Sequence, residues 1–215
     1  MLLYYITDRR QFAGSEAARC AALLERIAEA ARAGVDYIQL REKDLDADGL
    51  AALAREAVVR VRAANAATRL LVNSYVEIAR AAGADGVHLT SHDLRSDAIR
   101  ELIGGSPGQS EGSRIKIGAS CHTSADVRVA ESLGADFAVL APIFEKPGAD
   151  VEPLGIAALA EIARTSTIPL LALGGVSLEN AAECMRAGAA GVAGIRLFQQ
   201  GDVAETLRKL RALRG

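Results

Sequence analysis

The sequence predicts a (β/α)8 barrel, the TIM-barrel architecture, with residues 1–215 forming a single domain around a parallel eight-stranded sheet. Three observations predict it. One phrase recurs as Ala33-Gly34-Val35-Asp36-Tyr37, Ala82-Gly83-Ala84-Asp85-Gly86, Leu133-Gly134-Ala135-Asp136-Phe137 and Ala187-Gly188-Ala189-Ala190-Gly191, about every fifty residues. Each copy sets a helix-ending glycine just before a buried strand, and two strand-helix units fit between copies. Short apolar runs alternate with amphipathic stretches along the chain, and 215 residues suit one large α/β domain. A doubly wound open sheet is the alternative. It would lack the quarter-chain recurrence, and no G-x-G-x-x-G follows the first strand.

In chain order, Leu2 to Ile6 reads as a first strand with a polar exit, Thr7-Asp8-Arg9. Cys20 to Ala33 has helical spacing, with Leu23, Leu24, Ile27 and Ala31 on one face, and stops at Gly34. Val35 to Leu40 is the second strand, Leu50 to Ala64 a helix, and Arg69 to Val72 the third strand, ending at Asn73. Val76 to Ala82 is a short helix, Gly86 to Leu89 the fourth strand, and Leu94 to Ile103 the next helix. Residues 104–113, GGSPGQSEGS, have the composition of a flexible surface loop. Beyond it come strands at Ile115–Ala119, Phe137–Leu140, Pro169–Leu173 and Gly191–Ala193. Helices are expected at Ala125–Leu133, Ile156–Arg164, Leu178–Ala187 and Val203–Leu213.

Half the residues are hydrophobic, enough for a sizeable core, while aromatics are scarce at 4%. Net charge is −2 and the basic residues form no block, which argues against nucleic acid and membrane surfaces as partners. Cys20, Cys121 and Cys184 are widely spaced without C-x-x-C, so reduced thiols and a cytoplasmic location are expected. No apolar run approaches the roughly 18 residues of a membrane helix. The sequence leaves open whether the chain is a homo-oligomer.

In a barrel the active face is the C-terminal end of the strands. That rule collects Asp8, Gln39, Arg41, Lys43, Asn73, His88, Asp93, Ser120, His122, Lys146, Gly174, Gly175 and Arg196 on one rim, and leaves the opposite loops plainer. Gln39-Leu40-Arg41-Glu42-Lys43 closes the second strand with two cations, which suit a multiply anionic ligand. Alone, the string serves equally as a surface cluster in which Glu42 and Asp44 are the partners. Leu173-Gly174-Gly175-Val176 and Gly194-Ile195-Arg196 follow the seventh and eighth strands, where barrel enzymes often bind phosphate through backbone N–H groups. His88 is either a packed barrel histidine or a group bonding a heterocycle, and His122 is either a turn residue or a ligand contact. Asp93 is either a helix N-terminal charge or one of the few carboxylates holding Mg²⁺ when phosphates supply the rest. Zinc-ligand spacing is absent, and Cys121 has no base beside it.

These residues together resemble the thiamine phosphate synthase and thiazole tautomerase superfamily. The likeness runs through Tyr5-Ile6-Thr7-Asp8, Gln39-Leu40-Arg41-Glu42-Lys43, Val72-Asn73, Gly83-Ala84-Asp85-Gly86-Val87-His88-Leu89, Ser120-Cys121-His122-Thr123, Ala141-Pro142-Ile143-Phe144, Pro153-Leu154-Gly155 and Ala172-Leu173-Gly174-Gly175-Val176. Synthases of this kind join an aminomethylpyrimidine diphosphate to a thiazole phosphate and release pyrophosphate. The resemblance implies that Arg41, Lys43 and Asn73 hold the pyrophosphate, that Gln39, His88 and Ser120 orient the pyrimidine, and that Asp93 ligates Mg²⁺. Gly174, Gly175, Ile195 and Arg196 would surround the thiazole phosphate, with His122 and Lys146 as further substrate contacts. Arg41, Lys43 and Ser120 are the expected catalytic set.

Three places depart from the synthase pattern. Ser74 follows Asn73 where synthases usually carry Asp. Leu89-Thr90-Ser91-His92 replaces a Gly-Gln-Glu-like run before Asp93. Phe144-Glu145-Lys146-Pro147-Gly148 looks shorter than usual, with Lys146 standing for the lysine of a Thr-x-Thr-Lys pattern. By the same resemblance the tautomerase branch uses a histidine where this chain has Pro142, as synthases do. A non-catalytic binder of thiamine-pathway phosphates is the third reading.

Overall fold

A computed structural model describes residues 1–103, 115–145 and 151–213; the 104–113 loop and Lys146 lie outside them. Strands β1 (Leu2–Ile6), β2 (Tyr37–Leu40), β3 (Arg69–Asn73), β4 (Gly86–Leu89), β5 (Lys116–Cys121), β6 (Phe137–Leu140), β7 (Leu170–Ala172) and β8 (Gly191–Gly194) pair in parallel in chain order. β8 closes on β1, with Leu3 opposite Val192, so the sheet is a barrel and the open-sheet alternative is excluded.

The helices are α1 (Glu16–Arg32), α2 (Ala47–Ala64), α3 (Val76–Ala82), α4 (Asp97–Ile103), α5 (Ser124–Ser132), α6 (Gly155–Thr165), α7 (Ala181–Arg186), α8 (Arg196–Gln199) and α9 (Val203–Ala212). α1 and α2 begin earlier than their apolar faces because capping sets the start. Ser15 accepts the Ala18 N–H and Asp46 accepts the Gly49 N–H. Apolar periodicity marks where a helix is buried, and its cap marks where it begins.

The helix expected over Leu94–Ile103 is broken. A 3₁₀ turn, Asp93–Arg95, precedes α4, and Ser96 between them is extended. The cause is local. The Asp93 carboxylate accepts the Thr90 N–H at 2.8 Å, while the Asp93 N–H donates to the Thr90 hydroxyl at 3.2 Å. This reciprocal pair winds a tight turn before the helix can start.

The barrel interior is filled by Tyr4, Ile6, Leu71, Phe137, Val139, Leu171 and Ala193. Tyr4 meets Phe137 edge to face at 5.2 Å, and Tyr37 stacks obliquely on Phe137 at 4.8 Å. Burying one such aromatic contributes about 1.5–3 kcal/mol, so this plug is a main source of barrel stability. Larger apolar layers between strands and helices complete the core, with Leu23, Ile27 and Leu50 in one and Val87, Leu140 and Leu159 in the other.

The repeated phrase has a physical role at the N-terminal rim. Its glycines, Gly34, Gly83, Gly134 and Gly188, all have positive φ, the left-handed stop that turns each helix back toward the sheet. Asp36 then binds one residue of the preceding strand twice: its N–H donates to the Leu3 carbonyl and its carboxylate accepts the Leu3 N–H at 2.7 Å. Asp85 does the same to Leu70, and Asp136 to Ile117, each carboxylate at 2.8 Å. Cations balance them: Arg211 on Asp36, Arg62 and Arg69 on Asp85, Lys116 on Asp136. The fourth copy carries Ala190, which keeps the backbone half of the device through its N–H to the Leu170 carbonyl. The rim that looked plain in sequence is thus a set of register pins.

Candidate active site

The C-terminal rim is built from strand ends that differ from one another. Gln39, on β2, is 2% exposed and donates through Nε2 to the Asn73 side-chain oxygen at 2.8 Å. Asn73, the last residue of β3, donates to the Ser74 hydroxyl at 3.0 Å, and Ser74 donates to the Asp93 carboxylate at 2.7 Å. Every link donates in one direction, so the chain of bonds ends on an anion. Ser74 reaches its place with φ of 63°, a left-handed conformation unusual for a side-chain-bearing residue, and its N–H is held by the His88 carbonyl at 2.8 Å. Both protein bonds to Asp93 fall on Oδ2.

His88 occupies the centre of the barrel mouth floor and is 1% exposed. Its Nδ1 lies 3.0 Å from the Tyr4 hydroxyl and its Nε2 lies 2.8 Å from Ser120 Oγ. Tyr4 has no second hydrogen-bond partner among the described residues, so its proton goes to Nδ1. The imidazole proton then sits on Nε2 and is donated to Ser120, which leaves the serine hydroxyl proton available to a ligand. Burial pushes His88 down from 6.5 to about 3, the Arg41 charge pushes the same way, and Asp93 opposes both. The ring is therefore neutral at physiological pH and acts as a bonding element. Gly118 makes room for it, since a Cβ there would lie 2.7 Å from His88 Nδ1.

Arg41 and Lys43 follow β2 at the same rim, Lys43 exposed. Arg41 is half-buried just beyond β2, and its charge is felt both by His88 and by Lys43. Arg41 is the larger influence lowering the Lys43 ammonium, with partial burial second. Like charges that feel one another in this way are eased by an anion nearby. The surface-cluster reading is corrected here: Glu42 and Asp44 pair with Arg9, and no carboxylate among the described residues pairs with Arg41 or Lys43.

The glycine loop after β7 is zipped to the β6 exit. Ile143 and Phe144 donate their N–H groups to the Leu173 and Gly174 carbonyls. Gly174 and Gly175 have φ of 90° and 67°, and an added Cβ would lie 2.7 Å from Pro142 and from Phe144, respectively. These glycines are thus required by backbone shape and loop packing. Ile195 leads into α8, and Arg196 is exposed on it. Ser120 and Cys121 lie within β5, which extends further than its apolar run. His122 is exposed in the turn beyond, with Nδ1 on the Ala141 carbonyl at 2.7 Å, apart from the Tyr4–His88–Ser120 line. Burial pushes the Cys121 thiol up to about 12, which removes it as a nucleophile.

A family profile described as thiamine monophosphate synthase matches residues 3–198. The chain belongs to that family. It is 41% identical over 214 residues to a putative thiamine-phosphate synthase of Geobacter sulfurreducens, covering 98% of this chain and 93% of the relative. It is 39% identical over 195 residues to a thiamine-phosphate synthase of Roseiflexus, covering 89% and 75%. The solved thiamine phosphate pyrophosphorylase of Pyrococcus furiosus superposes with a TM-score of 0.80 at 27% identity, covering 99% of this chain and 94% of that one. Family membership bears out the recognition made from the motifs.

Sequence reasoning passes over Tyr4, Thr7 and Arg9 as parts of the rim's bonding. Tyr4 reads as one more strand hydrophobe, and its partner is 84 residues away. The polar exit Thr7-Asp8-Arg9 was the available signal.

Proposed function

We propose that the protein couples 4-amino-2-methyl-5-hydroxymethylpyrimidine diphosphate to a thiazole phosphate, releasing pyrophosphate and forming thiamine phosphate. The observation that carries this reading is the pair Arg41 and Lys43 at the β2 exit, free of carboxylates among the described residues, with the Arg41 charge reaching the buried, neutral His88. Their charge meets the negative charge that builds on the pyrophosphate as its bond to the pyrimidine methylene breaks heterolytically. Asn73 contributes its amide at the same end. Gln39 Oε1 and the Ser120 hydroxyl serve the pyrimidine's polar edge. A neutral His88 keeps a competing cation out of the pocket where the pyrimidine cation forms and the thiazole nitrogen attacks. The thiazole phosphate falls to Gly174, Gly175, Ile195 and Arg196; Lys146 is assigned to the same end from sequence alone.

Mg²⁺ is part of this reading. Asp93 Oδ1 has no partner among the described residues, so one carboxylate oxygen is available. Ser74 offers a hydroxyl where the synthase pattern has a second carboxylate, and among the described residues no three His, Cys, Asp or Glu cluster as ligands. One carboxylate fits a Mg²⁺ whose other ligands are phosphate oxygens and water. Bound there, the ion would neutralise the leaving pyrophosphate. The partners are then small phosphorylated molecules. A cytoplasmic setting is supported by three free cysteines, and no helix among the described residues is long and apolar enough to cross a membrane.

The test supplies both substrates and Mg²⁺ to the purified protein and follows pyrophosphate release and thiamine phosphate. Turnover is expected. Intact binding of thiazole phosphate without product would overturn the synthase reading in favour of a binder, and isomerisation of the thiazole without the pyrimidine would replace it with a tautomerase.

A further inference from the structure

A buried ion pair lies directly under the Arg41–Lys43 loop. Glu42 is 4% exposed although its neighbours in sequence are the two site cations. Both its oxygens are used: Oε1 accepts the Thr7 hydroxyl at 2.5 Å, and Oε2 accepts the Arg9 backbone N–H at 3.0 Å and Nη1 at 3.1 Å. Arg9 is itself 2% exposed and spreads its guanidinium further, with Nη1 and Nη2 on the two Asp44 oxygens at 2.7 and 3.0 Å and Nε on Glu16. The Thr7 oxygen also accepts the Arg41 N–H at 3.0 Å. One cation from the β1 exit thus takes residues 42 and 44 of the β2 exit. Residues 41 and 43, interleaved with them, are left without a carboxylate partner among the described residues.

We propose that Arg9, Glu42 and Thr7 are positioning residues that aim Arg41 and Lys43 at the substrate's diphosphate and keep Glu42 and Asp44 from quenching them. The proposal rests on the reading of Arg41 and Lys43 as diphosphate ligands. Two effects follow from the geometry. Anchoring Glu42 on both oxygens fixes the backbone between the two cations. Saturating Glu42 and Asp44 with a third cation removes the two carboxylates nearest in sequence, which would otherwise fold onto Arg41 and Lys43 and compete with a phosphate. An arginine suits the task because its planar fork serves several carboxylates at once, whereas a lysine ammonium offers a single point of charge.

The test measures binding of inorganic pyrophosphate to the full chain by calorimetry, beside steady-state kinetics and thermal melting. Arg9→Met is expected to weaken pyrophosphate binding at least tenfold and to raise KM for the diphosphate substrate more than it lowers kcat. Adding Glu42→Gln to Arg9→Met should recover at least a threefold part of that affinity, because a neutral amide cannot quench the cations. A merely structural role predicts the reverse, with the double variant no better than the single. Arg9→Lys and Thr7→Val, milder changes at the same network, answer the question if Arg9→Met does not fold; each should weaken pyrophosphate binding by a smaller factor. Wild-type affinity in these variants overturns the proposal. Absence of pyrophosphate binding in the wild-type protein would overturn the diphosphate-ligand reading itself, a separate and distinguishable result.

Discussion

At the N-terminal rim of the barrel one device is built three times, while at the C-terminal rim no two of the described strand ends are alike. Below, Asp36, Asp85 and Asp136 each grip one residue of the preceding strand through backbone and side chain together. Above, β2 ends in an anchored carboxylate between two cations with no carboxylate partner among the described residues, β3 in a left-handed serine, and β7 in two left-handed glycines. Repetition serves register, since every odd–even strand pair needs the same alignment. A binding site for an asymmetric ligand needs different groups at different strands. On the proposed function the two rims divide stability from chemistry, and that division can be tested from both ends.

The largest effect is expected above. Arg41→Ala should lower turnover roughly 10²-fold, the scale for removing one group that meets developing charge, and leave the melting temperature within a degree or two. Pyrophosphate-release kinetics beside a thermal melt check this; unchanged turnover would return Arg41 to the role of surface charge. Below, Asp85→Ala should do the opposite. It strands the Leu70 N–H and leaves Arg62 and Arg69 without their carboxylate, at a cost of about 1–3 kcal/mol in urea unfolding with kcat/KM unchanged. A loss of activity in that variant, at a temperature where it is folded, would blur the division.

The third prediction concerns the boundary between the rims, where His88 sits. Its folded value of about 3 lies below the 6.5 of the unfolded chain. Between those values the unfolded state binds the extra proton, so stability is full above about pH 7 and falls as pH drops toward 3, by at most about 1.4 kcal/mol per pH unit. Urea titrations of the wild type and His88→Asn at pH 7 and 5.5 should show a shallower loss in the variant. Equal slopes would mean that His88 is not held neutral by burial. The smallest expected effect is a gain. Ala190→Asp supplies the missing fourth carboxylate opposite Leu170, and is expected to stabilise by up to about 1 kcal/mol without altering kinetics.

Much of this was readable in the chain. The four-fold phrase indicated the barrel because helix stops and buried strands are local patterns, and each copy carries its own glycine and apolar run. The exit Gln39-Leu40-Arg41-Glu42-Lys43 was readable only as a candidate anion site beside an equal surface-cluster reading, because adjacency along the chain does not say which carboxylates pair with which cations. The broken helix at Leu94 was not readable: apolar spacing continues through Ser96, and the turn depends on where the Asp93 carboxylate swings. The glycines at 174 and 175 suggested close ligand approach, whereas Pro142 and Phe144 also demand them.

By itself, then, the sequence determined the barrel, its strand order, and which rim carries the polar residues, since these follow from periodicity and spacing within about fifty residues. Only the tertiary structure decided which charges pair. Arg9 takes Glu42 from a distance of 33 residues, and Tyr4 finds His88 across 84. Glu42 stands between two cations in sequence and bonds to neither, because a buried carboxylate takes the donors that the fold brings to it, Thr7 on Oε1 and Arg9 on Oε2, and adjacency along the chain does not supply them.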